Sequence, residues 1–114
     1  MTVIAIILSV LLAVILVASG SAKLKKAEQV VASLSRAGVP LSLYPFLAAV
    51  EIAGAIGLVW GIWWTPIGVA AAIGVVLYFV GAIVFHLRAK DTAIVPPAVL
   101  GLIAAAAGVT LALA

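Results

Sequence analysis

The chain has 114 residues, which is enough for one domain, and 68% of them are hydrophobic while only 8% are charged. Soluble globular proteins carry charge on about a quarter of their residues, so this composition cannot form a water-facing surface. The mean hydropathy of +1.52 indicates an integral membrane protein, and its net charge of +3 suits anionic lipid, with no nucleic-acid partner expected. The lack of cysteine excludes disulfides and dithiol chemistry, and one histidine with three acids leads us to predict no metal site.

Four apolar runs are each long enough for the roughly 20 residues that cross ~30 Å of hydrocarbon as a helix. They cover Val3–Ser21, Ser42–Ile62, Pro66–Leu87 and Ala93–Ala114. An isolated strand would leave its backbone groups unpaired in lipid, so we predict an all-α, integral membrane four-helix bundle forming a single domain over residues 1–114. The end of the first run, VASGSA, resembles a signal-peptide cleavage site, but no basic segment precedes the run, and we expect it to be retained.

The connection between the first two runs, KLKKAEQVVASLSRAGVP, has apolar residues at helical spacing and basic or polar residues on the opposite side. Gly38 followed by Pro40 is a helix-stop signal. We therefore predict an amphipathic helix over about residues 23–37. Two placements fit this pattern: the helix lies in the membrane interface, or it folds back under the bundle as a plug. The fold prediction adopts the interfacial placement.

The positive charges define an orientation. All six Lys and Arg residues fall in the first and third connections, which lie on one side of a four-span chain. The positive-inside rule places that side in the cytoplasm and both termini outside. Trp60, Trp63 and Trp64 then mark the outer interface, and Tyr44 with Phe46 the inner one.

Small residues repeat every four positions along one face of the second run: Ala49, Ala53, Gly57 and Gly61. Such rows let helix backbones approach closely, and we predict that these four residues pack helices together. Gly74 of the third run is added to the predicted packing set. Bulky side chains on another face of the second run are expected to meet lipid.

The second run also carries an acid, Glu51, near its middle. Its helical position, about 100° from the bulky face, points it into the bundle. Counted along the helices, Tyr78 of the third run lies at about the same depth as Glu51. His86 and Lys23 lie nearer the basic end. We predict a buried pocket that opens towards the cytoplasm and holds a ligand. The candidate ligand-binding residues are Glu51, His86, Lys23, Tyr78 and Ser19, and no catalytic residue is predicted.

A charged residue at mid-helix costs about 2.5–3.5 kcal/mol on insertion scales, so Glu51 needs a partner. Either Lys23 pairs with it and it stays ionised, or burial keeps it neutral and it donates to Tyr78 or His86. Glu51 is then a ligand or proton site, or a polar clamp between helices. The other candidates also have structural alternatives: His86 as an interfacial residue, Lys23 as an anchor at a helix end, and Tyr78 as core packing.

Five features follow one another along the chain: SGSAKL closing the first run, RAGVP, EIAGAIGL, a proline opening the third run, and FHL near its close. This ordered set resembles the DoxX-like family of small four-helix bacterial membrane proteins, over almost the whole chain. The resemblance implies a bacterial plasma membrane, and by position it singles out Gly20, Lys23, Gly38, Pro40, Glu51, Gly57 and His86. The family's namesake was found with a quinol oxidase, and relatives have been linked to thiosulfate–quinone oxidoreduction and to oxidative-stress complexes. More distant relatives include assembly chaperones and cysteine-dependent quinone reductases, whose chemistry this cysteine-free sequence lacks.

Three functions are compatible with these observations. We expect a non-catalytic accessory, scaffold or assembly subunit without enzymatic activity of its own, in a homo-oligomer or with a membrane or peripheral redox partner. The alternative is a protein that binds a quinone, its one candidate cofactor, or another lipophilic ligand, with Glu51 and His86 bonding the head group. A third function is a small proton-coupled transporter that uses Glu51 as the carrier.

Overall fold

The computed structural model describes residues 2–91 and 94–114. Within them the chain forms five α-helices: α1 Thr2–Leu24, α2 Glu28–Arg36, α3 Tyr44–Trp60, α4 Thr65–Arg88 and α5 Val95–Leu113. A short 3-10 turn, Leu41–Leu43, precedes α3. Four helices (α1, α3 with its preceding turn, α4 and α5) are long and apolar enough to cross a membrane. The predicted all-α membrane bundle is confirmed.

The helix ends differ from the predicted spans by a few residues. α1 continues to Leu24 and α2 begins only at Glu28, so the amphipathic helix is shorter than predicted. The chain turns between them at Lys26, whose backbone is left-handed with a φ of 52°. Ala93, the predicted start of the last span, lies outside the described residues, and α5 is described from Val95.

The four long helices form a closed bundle. α1 packs against α3 and α5, and α4 packs against the same two helices, so each long helix contacts two others. The buried core is built mainly from small and aliphatic side chains: Ala5, Leu12, Ala13, Leu16, Ala55, Leu58, Ala72, Val75, Phe79, Ala104, Ala107 and Leu111. Because lipid is as apolar as these side chains, close van der Waals packing of small residues is what holds such helices together.

α3 and α4 meet backbone to backbone near the tryptophans. A Cβ added at Gly61 would lie 2.2 Å from the Cα of Gly68, and one at Gly57 would lie 2.6 Å from the Cβ of Ala71. Only glycine fits at these two positions. Gly57 and Gly61, both predicted for helix packing, therefore lie at the contact between α3 and α4.

The other residues predicted for packing, Ala49, Ala53 and Gly74, are exposed. Within the chain, the close packing of the predicted row is thus limited to its last two members. A step of four residues advances about 400° around a helix, so the row drifts by about 40° at each step. Ala49 consequently faces a direction about 120° away from that of Gly61.

α2 covers the basic end of the bundle. Val31 and Leu34 pack on a small cluster of Ala37, Val39 and Tyr44. Tyr44, expected at the inner interface, is instead buried there, because the segment after α2 folds over the start of α3. None of the residues of α2 itself is buried, which favours a helix on the surface of the bundle over a plug. The three tryptophans expected at the outer interface are all exposed.

Candidate functional site

Glu51 of α3 lies at the centre of a buried polar network. It is 2% exposed. Its Oε1 atom accepts two hydrogen bonds, from Lys23 Nζ at 2.6 Å and from the Tyr78 hydroxyl at 2.5 Å. Lys23 Nζ also donates to Ser19 Oγ at 2.9 Å. The structure thus joins four of the five predicted candidates, Glu51, Lys23, Tyr78 and Ser19, in one network.

Two features of α1 bring its lysine to α3. Lys23 lies in the last turn of α1, and Ser19 is four residues earlier on the same face of that helix. Gly20 lies at the contact with α3: a Cβ added there would lie 3.2 Å from Ile52 and 3.3 Å from the carbonyl oxygen of Ala48. Gly20 therefore lets α1 and α3 approach closely, and a side chain there would require its neighbours on α3 to shift by a few tenths of an ångström.

The hydrogen bonds fit an ionised pair. A lysine ammonium can only donate, and the tyrosine hydroxyl donates as well, so Oε1 acts as the acceptor for both. The second oxygen, Oε2, is buried and has no hydrogen-bond partner in the described part of the chain. In this low-dielectric environment each charge is stabilised chiefly by the other, and removing Lys23 would leave Glu51 as an uncompensated buried charge.

His86, the remaining candidate, lies outside this network. Its Nδ1 atom is 2.8 Å from Oδ2 of Asp91, and no hydrogen bond joins it to Glu51 within the described residues. The two side chains are largely buried, with exposed fractions of 9% and 12%. Asp91 was not among the residues singled out by the sequence.

The end of α4 brings Asp91 back to His86. The Asp91 N–H donates to the His86 carbonyl at 2.8 Å, and the Lys90 N–H donates to the Leu87 carbonyl at 3.1 Å. This is a Schellman turn, in which Lys90 takes the left-handed position with a φ of 59°. Glycine usually occupies that position, so a lysine there hides the turn from a search of the sequence. The detectable signal was an acid five residues after a histidine at a helix end.

Two cavities flank Tyr78. The first, of about 230 Å³, lies between α3 and α4 and is lined by Glu51 and by the exposed Ala53 and Gly74. The second, of about 180 Å³, lies beneath the end of α2 and is lined by His86. Tyr78 contributes to both. The single predicted pocket is therefore two cavities, with Glu51 on one and His86 on the other.

The fold and this network define a class: a multi-pass helical membrane protein with an ion pair buried between its first two spanning helices. Within that class, the family model of the DoxX-like family matches residues 7–108, a range that includes Lys23, Glu51 and His86. The chain therefore belongs to the DoxX-like family. No curated protein and no solved structure matches it.

Proposed function

We propose that this protein is a non-catalytic accessory or assembly subunit of a complex in the bacterial plasma membrane. The observation that carries the proposal is an outward-facing surface of small residues on α3 and α4. Ala49 and Ala53 of α3 and Gly74 of α4 are exposed, and the last two border the same cavity. Small residues on a spanning helix let a further helix approach closely, which an isolated bundle does not need.

The ion pair supports the same proposal. Glu51 is the acid within the spanning part of α3, and its Oε1 is occupied by Lys23 and Tyr78. Its Oε2 is buried and accepts no hydrogen bond from the described residues. A carboxylate held in this way stabilises the arrangement of α1, α3 and α4, and so acts as the polar clamp considered above.

Affinity purification from native membranes in a mild detergent tests the assembly. Ala53→Leu places a bulky side chain on the small-residue surface. Because Ala53 is exposed, the substitution does not disturb the core. We expect this variant to lose its partner or to dissociate from a homo-oligomer. Ala106→Leu, the same change at an exposed position of α5, is the matched control and should keep the assembly. A solitary monomer from native membranes would count heavily against the proposal.

Binding of a quinone or another lipophilic molecule is the second candidate function, and the two cavities beside Tyr78 favour it. Both are mostly apolar and each has a polar residue in its wall, as small-molecule sites do. Because Glu51 and His86 line different cavities, one head group bonded by both residues is not the favoured arrangement. Binding of a short-chain benzoquinone that is unchanged in both Glu51→Gln and His86→Ala would eliminate this candidate.

The orientation remains part of the proposal: basic connections in the cytoplasm and both termini outside. The sequence contains no cysteine, so single cysteines can be introduced without further changes. In intact cells, a membrane-impermeant maleimide should label Ala114→Cys at the end of the chain and spare Ser35→Cys in α2. Labelling of Ser35→Cys alone would reverse the orientation.

A further inference from the structure

The cavity beneath α2 is a feature that the scaffold role leaves unused. It has a volume of about 180 Å³ and lies between the end of α2, the start of α3 and the second half of α4. Its polar residues are His86 and Tyr78, and the Tyr78 hydroxyl is bonded to Glu51. An apolar cavity of about 150 Å³ in another protein holds benzene, so one six-membered ring fits here.

His86 provides the polar atom through which this cavity can recognise a ligand. Its Nδ1 atom is 2.8 Å from the carboxylate of Asp91. A carboxylate only accepts, so Nδ1 carries the proton in that hydrogen bond. The other ring nitrogen, Nε2, makes no hydrogen bond among the described residues. A neutral imidazole in this tautomer accepts at Nε2 and pairs with a ligand that donates, whereas an imidazolium donates from both ring nitrogens, so the preference between donating and non-donating probes decides the ligand chemistry.

We propose that this cavity binds a lipophilic molecule through a hydroxyl group, which donates a hydrogen bond to Nε2 of His86. Asp91 is a positioning residue: it fixes the tautomer and the orientation of the imidazole, and the turn at Lys90 holds it in place. The inference rests on the second candidate function and names its ligand chemistry. It requires a hydroxyl donor, such as the reduced quinol form of a quinone or a hydroxylated lipid, and disfavours a ligand with carbonyl acceptors alone.

The location is tested by fluorine NMR of 4-fluorophenol added to the protein in lipid nanodiscs. Gly81 lines this cavity, and an added Cβ would meet no atom within 4 Å, so Gly81→Leu fills the cavity. Gly74, on the same helix, has the same open space but lines the other cavity, so Gly74→Leu is the matched control. We expect Gly81→Leu to abolish saturable binding and Gly74→Leu to preserve it. Thermal unfolding verifies that both variants are folded.

The hydrogen bond is tested by comparing 4-fluorophenol with 4-fluoroanisole, in which a methyl group replaces the hydroxyl proton. One hydrogen bond to Nε2 predicts a preference of about tenfold for the phenol. We expect His86→Phe to remove this preference in a folded protein. Asp91→Ala should weaken the preference, and Asp91→Asn should restore it, because the amide oxygen can still accept from Nδ1.

Each alternative outcome is distinct. Equal affinity for the two probes in the unchanged protein overturns the hydroxyl contact. Loss of binding in Gly74→Leu but not in Gly81→Leu overturns the His86 site and leaves ligand binding as a function. Absence of saturable binding in the unchanged protein overturns both the His86 site and ligand binding as a function. Displacement of 4-fluorophenol by hydroquinone supports a quinol as the source of the hydroxyl, and displacement by 1-hexanol supports a lipid. If neither compound displaces 4-fluorophenol, the proposal is overturned.

Discussion

Lys23 at the end of α1 and Glu51 within α3 form a buried ion pair, with Nζ and Oε1 separated by 2.6 Å. The two residues are 28 positions apart in the chain, and their exposed side-chain fractions are 9% and 2%. The pair therefore joins the first two spanning helices, and in the folded chain both charged groups are largely shielded from water. Because both groups are desolvated, the loss of one charge affects stability more than the loss of both.

The first prediction concerns this pair. Lys23→Met leaves Glu51 as a buried, unpaired acid, and we expect it to lower the free energy of unfolding by about 3–5 kcal/mol. Glu51→Gln should cost less, since Lys23 lies in the last turn of its helix and its long stem can reach the interface. Unfolding by SDS in mixed micelles measures both changes.

The double variant Lys23→Met/Glu51→Gln is the control for coupling. It removes both charges, so its loss of stability should be clearly smaller than the sum of the two single losses. Additive losses would show that the two residues contribute independently and that the pair is not the clamp described above.

The second prediction compares two tyrosine hydroxyls. Tyr78 donates to Glu51, so Tyr78→Phe should lower the free energy of unfolding by about 1.5–3 kcal/mol, the usual range for a hydrogen bond to a charged group. The Tyr44 hydroxyl is buried without a hydrogen-bond partner in the described part of the chain. Tyr44→Phe should therefore be neutral or stabilising in the same SDS titration. A larger loss in Tyr44→Phe than in Tyr78→Phe would contradict the hydrogen-bond assignment.

The sequence was sufficient for the fold because bilayer thickness and backbone hydrogen bonding leave few alternatives to spanning helices. It was also sufficient to predict that Glu51, Lys23 and Tyr78 lie close together, since helical periodicity and depth are nearly independent of packing detail. Periodicity did not locate the boundary between α1 and α2. A non-glycine left-handed residue, Lys26, sets that boundary, and no composition signal marks it.

The same limitation explains why Asp91 was missed. Its contact with His86 depends on the left-handed backbone of Lys90, a conformation that sequence rarely assigns to lysine. The division of the predicted pocket into two cavities also depends on packing, because it follows from the position of the Tyr78 side chain between α3 and α4. Depth counting places residues along a helix axis, but it does not say which cavity each side chain enters.

The third prediction separates two glycines. A Cβ at Gly61 would meet the backbone of Gly68, which cannot move aside as a flexible side chain could, so Gly61→Ala should cost about 1–3 kcal/mol of stability. A Cβ at Gly74 meets nothing within 4 Å, and alanine is the better helix former by about 1 kcal/mol. Gly74→Ala should accordingly be neutral or stabilising by thermal unfolding in detergent. Equal losses in the two variants would contradict the close crossing of α3 and α4.

The last prediction concerns the turn that carries Asp91. A non-glycine residue in the left-handed conformation costs about 1–2 kcal/mol, and glycine adopts this conformation without that penalty. Lys90→Gly should therefore raise the free energy of unfolding by about 0.5–1 kcal/mol, after the extra freedom of glycine in the unfolded chain is included. Ala89, the preceding residue, has a φ of −85°, so Ala89→Gly offers no such relief and should destabilise the protein by about 0.5–1 kcal/mol. Thermal unfolding of the two variants measures the difference, and a loss of stability in Lys90→Gly as large as that in Ala89→Gly would show that the turn at Lys90 is not the one described.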